Sequence, residues 1–500
     1  MAECLLGVDV GTSSTKGAVI DNNGKLLAEA WVEHGIEIPK PGWAEQDAEE
    51  IWWNDFKKIC KLLFEKIEPS NIRGVGVSGL CPDMLPVDKE GKPLRKAILY
   101  GIDRRASREI REIEEKIGKE RIFEVCGNTL QAQSVGPKIL WFKKHEPELF
   151  EKTHKILSAS NYVVYKLTGE YSIERFTASF FHPLFDITRL NWNEHMVKEL
   201  DLPLDILPDV KWSTELTGSV TKEAAEETDL VEGTGVITGM CDAIGSVMST
   251  GLEKEGEICI FMGTTTCLLL VLDRKVTHPL LWSIPYYKPG KYIFGGGTST
   301  SGAIVAWFKE NFCPEKSYEE LDEEAERIEP GANGLVMLPY FMGERTPVLD
   351  ERAKGIIFGL TISHNRGHVY RAVLEATAYC IKHHFDVMKE GEVFPKRVLI
   401  VDGGAKSVLW RQIISDVINM PVEYIPKALG APFGDAYAAG MGIGMFKDLD
   451  LLREMNSVED VRRPREKEHE KYMKHYSVFR SLYEKTKEEM HDLSDAAEEN

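Results

Sequence analysis

No Cys-x-x-Cys pair occurs in the 500 residues, and the nine cysteines are scattered and odd in number. No basic leader precedes the first apolar stretch, so the expectation is reduced thiols in a cytosolic protein rather than a disulfide framework or a structural zinc site. No apolar run approaches the length of a membrane span. Positive charge is also short, with 61 lysines and arginines against 80 aspartates and glutamates and a formal net charge of -19. That balance argues against a nucleic-acid-binding surface, which needs the opposite excess. Glutamine is scarce, a bias shared with heat-adapted proteins. Neither G-x-x-x-x-G-K-[ST] nor the H-R-D and D-F-G pair is present, which disfavours the P-loop and protein-kinase folds.

What the chain does have is a glycine-hydroxyl turn, twice. The apolar run Leu5 to Val10 enters Gly11-Thr12-Ser13-Ser14, and a second apolar run leaves through Lys16 toward Asp21, a pattern that predicts a β-hairpin. Gly11 permits close approach of main chain to a ligand, and the amides and hydroxyls of Thr12, Ser13 and Ser14 can donate to phosphate oxygens. Asp9, at the mouth of the hairpin, can hold a hydrated Mg²⁺ shared with those phosphates. An ordinary glycine hairpin would read the same way in isolation. Phe261-Met262-Gly263-Thr264-Thr265-Thr266, followed by an apolar run ending at Asp273, repeats the plan about half a chain later. The repeat predicts a duplicated domain with a nucleotide between two phosphate loops, and a hydrophobic content of 43% over this length supports two cores.

Between and after the hairpins lie further candidates. A third strand is expected from Lys25 to Ile38, then a loop, Pro41 to Gln46, before a helix opened by Asp47. Trp43 and Glu45 on that shoulder suit a sugar, a ring for its C–H face and a carboxylate for its hydroxyls, or else Trp43 plugs the helix start. A buried strand from Ile72 to Gly79 ends in Leu80-Cys81-Pro82-Asp83, at the carboxyl end of a strand where open α/β sheets bind ligands, with Asp83 able to accept from a hydroxyl. Asp103 beside Arg104 and Arg105 lines the same pocket or makes a surface ion pair. Asp242 stands at a strand-to-helix turn between Gly239 and Gly245; it either takes the proton of an attacking hydroxyl or caps the helix. Asp402-Gly403-Gly404-Ala405-Lys406-Ser407 reads as strand, glycine pair, helix, flat enough for adenine or ribose to lie on main chain. Gly430 to Met445 is rich in alanine and glycine and suits close packing across a domain interface. In the charged tail, Tyr472, Tyr476, Phe479 and Tyr483 recur at helical spacing and are expected to dock, with the last ten or so residues frayed.

The Asp9 hairpin, Pro41-Gly42-Trp43-Ala44-Glu45-Gln46-Asp47, Pro137-Lys138-x-x-Trp141, Gly239-x-x-Asp242, Gly343-Glu344-Arg345-Thr346-Pro347, the run Gly355 to Glu375 and Asp402 to Ser407 together resemble the FGGY carbohydrate kinases, in order from about residue 4 to 446. The resemblance implies an α/β chain of two actin-like, ribonuclease-H-like domains: a sugar-side domain over 1–246, an ATP-side domain over 247–446, and a charged helical extension over 447–500. It implies transfer of the γ-phosphate of MgATP to a small free sugar in the cytoplasm, with no membrane or nucleic-acid partner and room for a homodimer. Asp9 would be the metal-associated carboxylate and Asp242 the catalytic base. Gly11, Thr12, Ser13, Ser14, Lys16, Gly263, Thr264 and Thr265 would clasp phosphates, and Gly403, Gly404, Ala405 and Ser407 would lie near the adenosine. Trp43, Glu45, Cys81, Pro82, Asp83, Asp103 and Asp242 would face the acceptor. The pattern is nearest the xylulose kinase branch, but that branch typically has Met-His where this chain has Cys81-Pro82, and Asn where it has Ala243. The Arg-Glu pair of glycerol kinases is missing too. A related ketose, polyol or sugar acid is therefore the alternative acceptor, and an actin- or Hsp70-like ATPase the alternative of another class.

Overall fold

The computed structural model describes residues 3–426 and 429–498. Its frame is a pair of seven-stranded sheets built to one plan. In the first, β1 (Cys4–Val10), β2 (Ser14–Asp21) and β3 (Leu26–Glu33) form an antiparallel meander. Helix α1 (Asn54–Phe64) crosses over to β4 (Ile72–Gly79), which runs parallel to β1. Helix α2 (Ala159–Thr168) packs on this sheet, and β5 (Leu216–Ser219) and β6 (Gly235–Ile237) complete the order β5-β6-β4-β1-β2-β3, with Met240–Cys241 added to β4. Helix α3 (Asp242–Ser249) then leads into the second sheet.

That sheet comprises β7 (Glu257–Met262), β8 (Thr266–Leu272), β9 (Trp282–Pro285), β10 (Tyr292–Gly297), β11 (Arg397–Val401), β12 (Val422–Tyr424) and β13 (Asp460–Arg462), in the order β9-β10-β8-β7-β11-β12-β13. Setting aside the edge strand β9, it matches the first sheet strand for strand. The meander β7-β8-β10 corresponds to β1-β2-β3, the parallel pair β11-β12 corresponds to β4-β6, and an antiparallel strand closes each edge. The duplication expected from the hairpins is thus a duplication of whole sheets.

Period-two alternation sorts the side chains of the second sheet. Ile258, Ile260, Met262, Val398 and Ile400 face a core shared with α4 (Arg366–Glu390) and α5 (Val408–Ile418). Cys259, Leu269, Val271, Leu399 and Val401 face the opposite way, toward α3 and α6 (Gly430–Gly442). These two helices fill the space between the sheets, and their fit depends on missing side chains. A β-carbon on Gly7 would lie 1.9 Å from the Pro432 carbonyl, one on Gly76 2.1 Å from that of Asp435, and one on Gly434 2.0 Å from that of Gly245. α6 therefore rests main chain against main chain on β1, β4 and α3, the packing its alanine and glycine content predicts.

A largely helical insertion between β4 and β5 has a core of its own, which includes Ile113, Ile139, Phe142 and Phe181. At the far end α7 (Glu466–Glu498) docks as its aromatic spacing predicts: Tyr476 donates to Asp386 at 2.6 Å, Tyr483 to Asp350 at 2.8 Å, and Phe479 is buried. Two local expectations change. The third strand ends at Glu33, because the following loop pairs only at Glu37, with Glu45. The tail expected to fray continues α7 to Glu498, and its last two residues lie outside the described ones. The eight cysteines from Cys60 to Cys380 are free thiols, and among the described residues no helix is long and apolar enough to cross a membrane.

Candidate active site

Each hairpin turn is anchored by its carbonyls, which leaves its amides available. In the first, His34 Nε2 donates to the Gly11 carbonyl at 2.9 Å, Gln46 Nε2 to that of Thr12 at 3.0 Å, and the His34 amide to that of Ser13 at 3.0 Å. Asp55 Oδ2, 2.9 Å from His34 Nδ1, holds the imidazole in place. In the second, the Gly302 amide donates to Gly263, those of Ser301 and Ala303 to Thr264, and that of Gly263 to Thr265, each at 3.0 Å. The amides of Thr12, Ser13, Thr264 and Thr265 take no partner among the described residues. Turns with their carbonyls engaged and their amides free can donate to an anion.

Both turns border one cleft. Asp9 and Lys16, paired beneath the first turn, and Phe261 and Cys267, paired beneath the second, line a common cavity of about 620 Å³ with Asp242, Asp402 and the start of α6. Three carboxylates thus converge from different elements. Asp9 is pushed up to about 7, chiefly by burial and then by the charge of Asp242. Burial also raises Asp242 and Asp402, and the Lys16 ammonium opposes the rise at all three. Asp242 opens α3, where its Oδ1 accepts from the Ala243 amide at 2.6 Å and from Cys241 Sγ at 3.1 Å. Asp402 ends β11 with φ of 77°, a left-handed conformation uncommon outside glycine, which lifts the chain into the turn at Gly403.

The residues expected at the adenosine lie on that turn. Gly403 has open space about it, while Gly404 and Ala405 pack down, a β-carbon on Gly404 meeting Met262 at 3.0 Å. The Ser407 hydroxyl caps α5, accepting from the Trp410 amide at 3.0 Å.

The expected acceptor residues divide into two groups. Cys81 is partly exposed, with Sγ 3.1 Å from Thr177 Oγ1, and Asp242 affects the electrostatics of the nearby Cys241 and Tyr100. Pro82 and Asp83 are buried behind it. Asp83 lies beside Lys138, whose ammonium donates to the Leu99 and Tyr100 carbonyls at 2.6 and 3.2 Å. Burial brings Lys138 down to about 8. Trp43, Glu45 and Asp103 belong to a closed network around Arg105, whose side chain is fully buried. Arg105 donates to Asp103 and, at 2.7 Å, to Glu45, and its guanidinium lies 3.9 Å from the Trp43 ring centre. These three residues are occupied by protein partners. The motif around Trp43 gave no sign of this, because the residue that consumes it lies some sixty positions away. The sequence reading also passed over Asp402, quoted only as part of a glycine motif, and His34, whose role depends on a loop folding back.

Two turns of free amides on duplicated sheets, with carboxylates in the cleft they border, match a two-lobed kinase of small hydroxylated molecules. The chain belongs to the FGGY family of carbohydrate kinases: the family's N-terminal domain matches residues 4–249 and its C-terminal domain residues 258–443. It is an ATP-using phosphotransferase that acts on a sugar. Among curated relatives, the xylulose kinase of Lactococcus lactis is 30% identical over 496 residues, covering 98% of each chain. The xylulose kinase of Bacillus subtilis is 29% identical over 493 residues, covering 97% of each. The solved xylulose kinase of Rhodospirillum rubrum superposes with a TM-score of 0.92 at 28% identity, over 98% of this chain and all of that one. The gluconate kinase of Lactobacillus acidophilus shares the fold, with a TM-score of 0.91 at 21% identity, over 97% and 98% of the two chains.

Proposed function

We propose that the chain transfers the γ-phosphate of MgATP to a hydroxyl of a free ketopentose, xylulose being the first candidate. The observation that carries this reading is the convergence of Asp9 and Asp242 on one cleft flanked by two turns of free amides. The relatives named xylulose kinase, matched end to end, support the acceptor.

In this reading the amides of Thr12, Ser13, Thr264 and Thr265 hold the phosphate chain, and Gly403 and Gly404 border the nucleoside. The donor set suits Mg²⁺: hard carboxylate oxygens, with no cluster of three or more ligating side chains among the described residues that would make an all-protein cage. A cleft with three carboxylates and Lys16 also needs a cation before it accepts a triphosphate. Asp9 would hold that ion together with the phosphates, and the ion would supply counter-charge to the transferring group. Asp242 receives the acceptor's hydroxyl, orients it, and collects its proton as the new bond forms. Phosphoryl transfer asks more for alignment than for a strong base, so a carboxylate raised moderately by burial is sufficient.

Cys81, Thr177 and Tyr100 form the acceptor wall in this proposal. The enzyme acts in the cytosol in this reading, where its free thiols stay reduced. The test is coupled ADP release with ketoses, polyols and sugar acids, at fixed MgATP. Xylulose is expected to give the highest kcat/KM. A preference for a sugar acid would overturn the acceptor, and ATP turnover that no sugar stimulates would favour an actin- or Hsp70-like ATPase.

A further inference from the structure

One carboxylate near the cleft does not face it. Asp435, on α6, is fully buried, and its Oδ2 lies 2.6 Å from Ser78 Oγ on β4. The same Ser78 Oγ lies 3.0 Å from Asp9 Oδ1. A serine hydroxyl owns one hydrogen, so it can donate to only one of two carboxylates. Both contacts are satisfied together if one carboxylate is an acid, and Asp435, whose Oδ1 is buried without a partner among the described residues, is the one left without solvation for a charge: its O–H donates to Ser78 Oγ, and Ser78 donates to Asp9. The chain of donors then runs one way and ends on Asp9 Oδ1.

We propose that Asp435 is a neutral positioning residue that fixes Asp9 through Ser78. With Oδ1 held by Ser78, Asp9 keeps Oδ2 turned toward the phosphate turn, 3.9 Å from where a β-carbon on Gly11 would sit. Burial raises the Asp435 carboxyl well above the usual range, and the charges of Asp9 and Asp242 push the same way. The surroundings are shaped to the group. A β-carbon on Gly245 would meet Asp435 Oδ1 at 2.9 Å, so the helix that begins with Asp242 carries glycine where the acid lies. Asp435 thus ties α6, which lies between β12 and β13 of the second sheet in sequence, to the metal-side carboxylate of the first. The proposal rests on the reading of Asp9 given above.

The test uses the full chain with Asp435→Ala, Asp435→Asn, Ser78→Ala and the double variant Asp435→Ala/Ser78→Ala. Asp435→Ala and Ser78→Ala are each expected to lower kcat about 10- to 100-fold and to raise the Mg²⁺ concentration needed for half-activation, with the acceptor KM little changed. The double variant should be no worse than the poorer single one, because both act through one bridge. Asp435→Asn should recover activity to within a few-fold of the original, since a neutral amide can donate to Ser78 as a neutral acid does. An infrared difference spectrum between the original and Asp435→Asn should show a carboxylic-acid C=O band in the original. Asp435→Asn as impaired as Asp435→Ala, single losses that multiply in the double variant, or no acid band would each overturn the proposal. Full activity in Asp9→Ala would instead overturn the role of Asp9, while the infrared band and the Asn rescue would still report on Asp435.

Discussion

Replacing Asp242 with Asn separates chemistry from binding. The asparagine Oδ1 can keep both existing contacts, from the Ala243 amide at 2.6 Å and Cys241 Sγ at 3.1 Å, so α3 starts as before. What is lost is the second carboxylate oxygen, replaced by a donor where the acceptor hydroxyl needs a proton acceptor. A positioned general base contributes about 100- to 10,000-fold, or roughly 2.7 to 5.4 kcal/mol of the barrier. The change has a second effect with a definite sign. The Asp242 charge is, after burial, the main influence raising Asp9 to about 7, so removing it lowers Asp9 and leaves more of it ionised near neutrality. At pH 6.5, Asp242→Asn should therefore bind MgATP as tightly as the original or more tightly, while turnover collapses. Coupled ADP release gives kcat, and quenching of Trp31, which lines the cleft, gives the nucleotide affinity. Turnover within about tenfold of the original would remove Asp242 as the base, and an affinity that falls in step with turnover would show that its role is binding.

Asp9→Ala should lose about 100-fold or more in turnover and need more Mg²⁺ for what remains; an unchanged Mg²⁺ titration curve would refute its role. Glu174 is raised from 4.5 to about 7, mainly by burial, so the fold holds it protonated where the unfolded chain does not. The stability it lends is present in full below pH 4.5 and is lost as pH rises to about 7, roughly 3 kcal/mol over that window. Glu174→Gln should therefore melt higher than the original at pH 8 but not at pH 4.5, and parallel melting curves at both values would contradict this. In Gly76→Ala, the new β-carbon would sit 2.1 Å from the Asp435 carbonyl oxygen and 2.8 Å from its carbon. Overpacking against rigid main chain costs about 1 to 3 kcal/mol or more, so the melting temperature and kcat should fall together, and an unaltered protein would show that α6 does not rest there.

The sequence displayed the hairpins as apolar runs broken by a glycine-hydroxyl turn, and the repeat at Gly263 set them apart from ordinary hairpins and displayed the duplication. Asp242 was visible because a strand-to-helix turn is where an open α/β sheet meets its ligand, although an Asp that only capped the helix would have looked the same. Side chains committed to distant partners were not visible. Trp43, Glu45 and Asp103 read as a sugar site until Arg105 is seen lying among them. Asp435 read as part of a packing helix, because only its approach to Ser78 and Asp9, more than 350 residues upstream, gives its carboxyl a task. Carbonyl anchoring of the turns was hidden for the same reason, since His34 and Gln46 reach back across loops whose course is set by tertiary contacts.

The bare crossing of Gly245 and Gly434 bears on how the enzyme can diversify. Main chain meets main chain there, so a side chain added at Gly434 would have to displace backbone rather than turn a rotamer. The crossing is consequently closed to variation. Changes that redirect the kinase toward another sugar must therefore come from elsewhere, and Cys81 and Thr177, which neither glycine touches, are where the proposed acceptor wall leaves room for them.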